Sequence, residues 1–322
     1  MLRPSNNNSF AKHSVITFAT NQSTYVQLAL NCAQSILLHN DIPVYIVSNL
    51  DFSIPAKFND RLFIILPKPE HLSLGIGMKL HIDEYLQTEH TLFIDSDCIC
   101  FGNLGDIFTA CAGMDVSVAG NIVKAESWCG EPLARVVRQN WGLDKLIRFN
   151  GGLYYIKKSE TAHRIFDKAR EIAVDYDKYG FDRLKNKWIN EEPTLSIAMM
   201  LNSQKPIADN GSFMTDLFTD HRPGELNVLK GTRLLKNPRA PLPGHRAWYP
   251  TQYSPIILHF SGTRINSYPY VSQGVLLQLQ RMRMPVWAAS VVVSVTVHFP
   301  FKVYHWFRRC LKLINPRSTR NS

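Results

Sequence analysis

The sequence lacks several patterns that define whole classes of protein. No stretch of its 322 residues reaches the roughly 20 consecutive apolar residues of a clean membrane span. Residues 1–13 are polar and contain no apolar core, so we expect neither a secretory signal nor an N-terminal membrane anchor. The six cysteines form no CxxC pair, which argues against a zinc framework, and we expect mostly reduced thiols in a cytosolic chain.

Acidic residues are missing from the last part of the chain, where Glu225 is the final one. Residues 1–225 hold 22 Lys and Arg against 26 Asp and Glu, a balance of −4, and residues 226–322 hold 14 Lys and Arg and no acid. The two balances, −4 and +14, sum to the net charge of +10. This asymmetry indicates an anionic partner for the C-terminal part: nucleic acid, anionic lipid or a phosphorylated ligand.

The C-terminal part also carries an apolar run and an amphipathic pattern. Residues 286–301 are apolar, but His298 and Pro300 interrupt them, and the run is too short to predict a span. Beyond it, one helical face would carry Val303, Trp306, Phe307, Cys310, Leu311 and Ile314, and the other Lys302, His305, Arg308, Arg309 and Lys312. This pattern is typical of a helix on a membrane surface, and favours lipid over nucleic acid. A terminal helix packed on the domain with a solvated basic face is the alternative.

Short apolar runs alternate with helical patterns before this tail. The runs predict strands at residues 14–19, 43–47, 61–66, 91–94, 116–119, 152–157 and 255–260. Helical spacing predicts helices after residue 23 and at residues 78–86, 159–174 and 191–201, and residues 202–254 indicate long loops with short strands. The alternation predicts an α/β fold with a mostly parallel central sheet flanked by helices, whose ligands collect beyond the carboxyl ends of the strands.

Two aspartates, Asp95 and Asp97, follow the predicted strand at residues 91–94. Carboxylates two positions apart on an extended segment point to the same side, and one Mn²⁺ or Mg²⁺ ion can draw on both while phosphate oxygens complete its shell. A metal would also relieve the cost of charge at the rim of the core. The alternative is a loop that carries two solvated aspartates.

Two further segments carry candidate polar groups. Asn150 precedes Gly151 and Gly152, which allow a backbone to approach a ligand closely or to turn sharply, and its amide suits a sugar hydroxyl. Glu191 and Glu192 begin a predicted helix. They are either partners of the helix dipole or carboxylates that face an acceptor hydroxyl or the transferring carbon.

His259 follows the apolar run of the last predicted strand. A histidine there is either a structural residue or a third ligand to the metal at Asp95 and Asp97, supplied as neutral imidazole. Gly262 and Arg264, which follow closely, could contact a phosphate.

Together these elements resemble glycosyltransferase family 8 and its relatives, the retaining GT-A enzymes that use nucleotide sugars. The resemblance covers about residues 14–264, with departures at Pro193, in the segment that replaces an acid–amide–acid triplet, and at Ile265, where a lysine is expected. It implies metal ligation by Asp95, Asp97 and His259, and a catalytic or acceptor-side role for Asn150, Glu191 and Glu192. The donor contacts that it implies are Ala19, Thr20, Asn21, Tyr25, Lys79, Ser96, Gly151, Gly152, Gly262 and Arg264.

The resemblance implies a hexosyltransferase that moves a sugar from a nucleoside diphosphate, expected to be UDP, to a glycan or lipid-linked acceptor with retention. Mn²⁺ or Mg²⁺ would neutralise the leaving diphosphate, aided by Lys79 or Arg264. We expect a GT-A domain at residues 1–275 and a helical tail at residues 276–322, of which residues 281–314 face an anionic membrane. The expected location is cytoplasmic, with peripheral attachment to the inner membrane face, and nucleic acid is not expected as a partner.

Three other function classes share some of these features. A phosphohydrolase of the haloacid dehalogenase class would use Asp95 as nucleophile, but it expects Thr or Val where Ile99 stands and a late acidic pair, and no acid follows Glu225. A sugar nucleotidyltransferase would carry a glycine-rich loop after the first strand, and this chain has none there. A non-catalytic protein that binds sugar or nucleic acid stays open.

Overall fold

The computed structural model describes residues 12–185, 187–216, 225–242 and 244–314, with side chains up to residue 310. Leu311, Lys312 and Ile314 of the predicted amphipathic pattern therefore have no described side chains, and residues 1–11 and 315–322 of the predicted domain and tail lie outside the description.

The strands are β1 (His13–Phe18), β2 (Val44–Val47), β3 (Leu62–Ile65), β4 (His90–Ile94), β5 (Cys98–Cys100), β6 (Val116–Lys124), β7 (Lys145–Lys157), β8 (Ile207–Ala208), β9 (Met214–Asp216), β10 (Leu226–Asn227), β11 (Thr232–Arg233), β12 (Leu235–Lys236), β13 (Gln252–Tyr253) and β14 (Ile257–His259).

The main sheet has seven strands in the order β3-β2-β1-β4-β7-β6-β8. Strands β1 to β4 are parallel to one another, β7 is antiparallel to both its neighbours, and β8 is parallel to β6. The prediction of a mostly parallel sheet is therefore confirmed, with β7 as the reversed strand. Since β1 and β4 are adjacent and parallel, their carboxyl ends open at the same edge of the sheet.

Helices cover both faces of this sheet. The α-helices of the described residues are α1 (Ser23–His39), α2 (Gly105–Ala110), α3 (Ala125–Trp141), α4 (Glu160–Val174), α5 (Glu191–Leu201), α6 (Tyr268–Arg281), α7 (Val286–Val293) and α8 (Phe299–Ile314), the last two of which lie in the C-terminal segment. Consecutive residues of β1 serve opposite faces: Val15 packs in a core with α1, and Ile16 packs in a core with α4 and α5. Burial on both faces explains why these strands are continuous apolar runs rather than alternating ones.

A second sheet of three strands, in the order β5-β14-β9, stands beside the carboxyl edge of the first. Strand β14 is antiparallel to β5 and parallel to β9, and the register pairs His259 with Cys98 on one side and with Asp216 on the other. The second sheet therefore carries the end of the Asp95–Asp97 segment, His259 and Asp216 to one place.

The C-terminal segment is helical throughout the residues that are described. A π turn, Ser294–His298, joins α7 to α8, and Pro300 lies in the first turn of α8, so the predicted interruption does not break the helix. By length and composition Val286–Cys310, 25 residues, could cross a membrane, and little of it is buried. That differs from the prediction of a run too short to span.

The tail is nevertheless joined to the core. Ala289 and Val293 are buried in a cluster with Leu276 and Leu277 of α6, whereas further along the segment the exposed aromatic side chains are Phe299, Tyr304, Trp306 and Phe307. The predicted boundary between residues 275 and 276 falls inside α6, and the division into a domain and a tail stays a prediction.

Candidate active site

A short turn joins β4 to β5 and carries both aspartates. The backbone N–H of Asp95 donates to the carbonyl of Gly152 (3.1 Å), and the N–H of Cys98 donates to the carbonyl of Asp95 (3.0 Å). Ser96 lies between the aspartates and is almost buried. The turn therefore holds the two carboxylates at the carboxyl edge of the sheet, as the sequence predicts.

His259 meets both aspartates through its Nε2 atom. Nε2 lies 3.1 Å from Asp97 Oδ1 and 3.8 Å from Asp95 Oδ2. Ligands that share one ion at about 2.0–2.2 Å in octahedral geometry lie roughly 3 Å apart, which the His259–Asp97 distance matches, while Asp95 stands farther from the imidazole. Two carboxylates and an imidazole are donors that suit Mn²⁺ or Mg²⁺. The structure brings the three predicted ligands together.

The Cys98 thiol also lies within ligand distance of Asp97 and His259. Burial, with Asp97 and Asp95 nearby, raises the pKa of Cys98 well above its usual value, so the thiol keeps its proton. A protonated thiol is a poor ligand for a hard cation.

Burial and charge act against each other on the three predicted ligands. Burial raises the pKa of Asp95 to about 6, in spite of the nearby Lys79 ammonium. Burial alone would also raise the pKa of Asp97, but His259 outweighs it and the pKa is lowered. For His259, burial opposes the charged form, yet Asp97 and Asp216 raise its pKa well above the usual value. The site is thus a closely coupled group of charges in a dry environment.

Lys79 lies behind the aspartates, on the 3₁₀ segment Gly75–Tyr85, where the sequence predicts a helix. Its Nζ donates to Asp95 Oδ2 (2.7 Å) and to the carbonyl of Gly151 (2.9 Å), and it lies 3.1 Å from Glu191 Oε1. Burial would lower the pKa of Lys79, but Asp95 and Glu191 raise it, so the amine stays charged. The predicted cation near the donor is therefore fixed in place by two carboxylates.

Gly151 and Gly152 lie inside β7 and not in a turn. A Cβ atom on Gly151 would stand 2.6 Å from Glu191 Oε1, and one on Gly152 would stand 2.9 Å from His259 Nδ1. The pair is therefore explained by the close approach of these side chains to the strand. The predicted sharp turn is wrong, and a close approach to a ligand stays a prediction.

Glu191 and Glu192 begin α5, whose N-cap Asn190 accepts a hydrogen bond from the N–H of Glu192 (3.2 Å). Glu192 Oε1 accepts from the N–H of Gly151 (2.8 Å), and Glu191 Oε1 accepts from the hydroxyl of Tyr154 (2.8 Å). Burial, with the neighbouring Glu191, raises the pKa of Glu192 to about 7. Among the described residues, nothing hydrogen-bonds the buried Oε2 of Glu191.

The remaining predicted donor contacts lie on other segments, after β1, at the start of α1 and after β14. Ala19, Thr20 and Asn21 follow β1 at the same edge of the sheet, where Asn21 has a φ of +67° and its N–H donates to Asn49 Oδ1 (2.9 Å). Tyr25, in the first turn of α1, is 43% exposed. Gly262 and Arg264 lie in the 3₁₀ turn Gly262–Asn266 after β14. Their roles toward a donor stay predictions.

Three residues of this edge were not identified from the sequence. Asp216 lies 3.0 Å from His259 Nδ1, and Arg246 NH2 lies 3.6 Å from Asp216 Oδ2. Both line a cavity of about 290 Å³ beside Asn150 and Glu192, together with Trp248. They fall in the loop-rich residues 202–254, where no local pattern marks them, and only the pairing of β9 with β14 brings Asp216 to the site.

No protein-family model matches the chain, and no curated protein matches it. Among solved structures it is similar to the galactosyltransferase LgtC in complex with donor and acceptor sugar analogues, with 13% identity over 81% of this chain and 95% of that one and a TM-score of 0.51. Mouse xyloside xylosyltransferase 1, in its apo form, has 12% identity over 78% and 98% of the two chains, with a TM-score of 0.45. GlyE of Streptococcus pneumoniae TIGR4 has 16% identity over 61% and 45%, with a TM-score of 0.39. The likeness to LgtC shows that this chain has the fold of the GT-A glycosyltransferases.

Proposed function

We propose that this chain is a glycosyltransferase that moves a sugar from a nucleoside diphosphate to an acceptor hydroxyl, with UDP as the nucleotide and with retention. The observation that carries the proposal is the convergence of Asp95 and Asp97 on His259, whose Nε2 lies 3.8 Å and 3.1 Å from their carboxylates, at the carboxyl edge of a GT-A sheet. In open α/β sheets this edge is where ligands bind.

Asp95, Asp97 and His259 would hold Mn²⁺ or Mg²⁺. When bound, such an ion supplies a Lewis acid that neutralises charge on a leaving diphosphate. Lys79 adds a positive charge beside Asp95. Its hydrogen bonds to Asp95 and to the Gly151 carbonyl fix the position of the ammonium group. A charge that is already in position costs no reorganisation when the leaving group develops its own.

The acceptor is proposed to enter the 290 Å³ cavity beside Asn150 and Glu192. Its wall carries Trp128 and Trp248, and the Arg148 guanidinium lies over the Trp248 ring at 5.1 Å. Aromatic faces of this kind offer apolar area to the C–H face of a sugar. Glu192, whose pKa of about 7 suits proton exchange near neutrality, would face the acceptor hydroxyl or the transferring carbon.

A donor screen tests the proposal. Nucleoside diphosphate sugars are supplied with Mn²⁺ or with EDTA, release of UDP is measured, and Asp97→Asn serves as the control. We expect release that requires Mn²⁺ and is lost in Asp97→Asn. Release that needs no metal and survives in Asp97→Asn would remove Asp97 from the mechanism.

We further propose that residues 281–314 attach the enzyme peripherally to an anionic, cytoplasmic membrane face, where the acceptor is a lipid-linked or envelope glycan. Trp287, Trp306 and Phe307 are exposed aromatic residues of this segment, which also carries the exposed cations Lys302 and Arg308. Apolar area and positive charge on one helical segment both favour an anionic membrane surface.

Vesicle flotation tests this attachment. We expect binding to vesicles with phosphatidylglycerol and weaker binding to phosphatidylcholine alone. Replacement of Lys302, Arg308 and Arg309 by Glu should abolish the preference for phosphatidylglycerol vesicles. Replacement of the exposed Lys145, Arg164 and Lys185 by Glu changes the net charge equally and should leave that preference in place. Equal binding by both variants would contradict the proposal, and binding that resists carbonate extraction would indicate a spanning helix instead.

A further inference from the structure

We propose that Asp216, both directly and through Asn150, is a positioning residue that turns Nε2 of His259 toward Asp95 and Asp97. The inference rests on the metal site of the proposed function. From the sequence, Asn150 is predicted to contact a sugar hydroxyl, and no role is predicted for Asp216.

The amide of Asn150 is oriented by Asp216. Asn150 Nδ2 donates to both carboxylate oxygens of Asp216, at 3.1 Å and 3.0 Å. Because Nδ2 is held on that side, the amide oxygen must face the other way, where it accepts from the N–H of Gly152 (2.9 Å). The orientation of the Asn150 amide is therefore set by a carboxylate that can only accept and a backbone N–H that can only donate.

The oriented amide in turn orients His259. Nδ1 of His259 lies 2.7 Å from the amide oxygen of Asn150 and 3.0 Å from Asp216 Oδ1. Since both of these atoms are acceptors, Nδ1 carries the proton, and Nε2 is the nitrogen that faces Asp97 at 3.1 Å. A metal-binding histidine whose other nitrogen donates to a fixed oxygen is held in the tautomer and ring orientation that ligation requires.

The group is rigid because it is buried and tied to several elements. The side chains of His259 and Asp216 are 8% and 10% exposed. They stand at the ends of the paired strands β14 and β9, Asn150 lies on β7, and Gly152 has no Cβ that would push His259 away. The Asn150 amide is thus engaged at both ends in this structure, which favours a positioning role over the predicted contact with a sugar hydroxyl.

Mn²⁺ titration of the purified chain without donor, followed by electron paramagnetic resonance, tests the inference. We expect Asp216→Ala to weaken Mn²⁺ binding by roughly 10- to 100-fold, the usual cost of losing a group that orients a ligand. Asp216→Asn keeps an oxygen that can accept from Asn150 and should lose less. If Asp216 acts through Asn150, the double variant Asp216→Ala, Asn150→Ala should lose less affinity than the two single losses multiplied.

Asp209→Asn is the matched control. Asp209 pairs with the same Arg246 (3.2 Å) and hydrogen-bonds Tyr249, so it tests the arginine network rather than the imidazole. It should bind Mn²⁺ as the wild type does. Circular dichroism and the melting temperature show which variants are folded, and Asp216→Asn carries the test if Asp216→Ala does not fold.

The outcomes separate this inference from the proposed function. Wild-type Mn²⁺ affinity in a folded Asp216 variant, or an equal loss in Asp209→Asn, would overturn the positioning role. A wild type that binds no Mn²⁺ would overturn both the role and the metal site. The expected ranking of affinities without any turnover of a sugar donor would support the role of Asp216 and count against the glycosyltransferase.

Discussion

Lys79 and Asp95 form a largely buried ion pair: their side chains are 14% and 19% exposed, Nζ lies 2.7 Å from Oδ2, and the same Nζ lies 3.1 Å from Glu191. One cation therefore compensates two carboxylates that the fold has removed from water. Loss of one member of a buried pair leaves uncompensated charge, which is more costly than the pair itself is favourable.

Lys79→Met should therefore lower the free energy of unfolding by about 3–5 kcal/mol, measured by urea denaturation at pH 8. Lys178→Met is the control, because Lys178 is exposed and pairs with Asp175 at the surface, and should cost less than about 1 kcal/mol. A loss below about 1 kcal/mol for Lys79→Met would mean that Asp95 and Glu191 do not depend on this cation.

Glu192 makes the stability of the protein depend on pH near neutrality. Its pKa is about 7 in the folded chain against an ordinary value of 4.5, so between these values the folded state binds more protons than the unfolded state. The free energy of unfolding therefore falls as pH rises through this window, and the stability that the protonated carboxyl gives is complete only below it.

Glu192→Gln keeps an oxygen that can accept from the N–H of Gly151 and cannot ionise. Relative to wild type it should gain about 1–3 kcal/mol between pH 4.5 and pH 8. Urea denaturation across this range measures the difference, and Glu171→Gln, at an exposed position, should show none. A pH-independent difference for Glu192→Gln would show that Glu192 does not titrate in this window.

Gly152 allows the side chains of His259 and Asn150 to lie close against the backbone of β7. In Gly152→Ala the new Cβ would stand 2.9 Å from His259 Nδ1 and from Asn150 Oδ1, so either group must shift. We expect Mn²⁺ affinity to fall by at least tenfold. Gly274→Ala, whose Cβ would meet nothing closer than 3.5 Å, is the control and should bind Mn²⁺ as the wild type does. Unchanged affinity in a folded Gly152→Ala would show that the close approach is not needed for ligation.

Apolar runs and helical spacing predicted those strands and helices whose residues follow one regular pattern. Strands β1, β2 and β4 are buried on both faces and so stand out as apolar runs, and α5 begins and ends where its spacing predicts. Helix α3 was missed because Gly130 and Pro132 lie inside it and obscure the pattern. The first half of β7 was missed because Gly151 and Gly152 indicated the start of a strand, whereas they lie within one.

The candidate site likewise contains residues that a local pattern predicts and residues that it does not. Asp95 and Asp97 could be predicted because a strand end and two carboxylates are adjacent in the sequence, and Lys79 came from the resemblance to a family. Asp216 could not be predicted, since it reaches His259 only through the pairing of β9 with β14 across a loop-rich stretch. The continuity of the tail was also hidden, because the π turn before Pro300 follows from backbone geometry and not from residue type.

The most direct test of the metal site is anomalous diffraction at the manganese absorption edge from crystals soaked with Mn²⁺ and UDP. The account predicts one strong peak bounded by Asp95, Asp97 and His259, with density for the diphosphate on its open side, and no peak in Asp97→Asn crystals. A manganese peak elsewhere, or diphosphate density away from these three side chains, would contradict it.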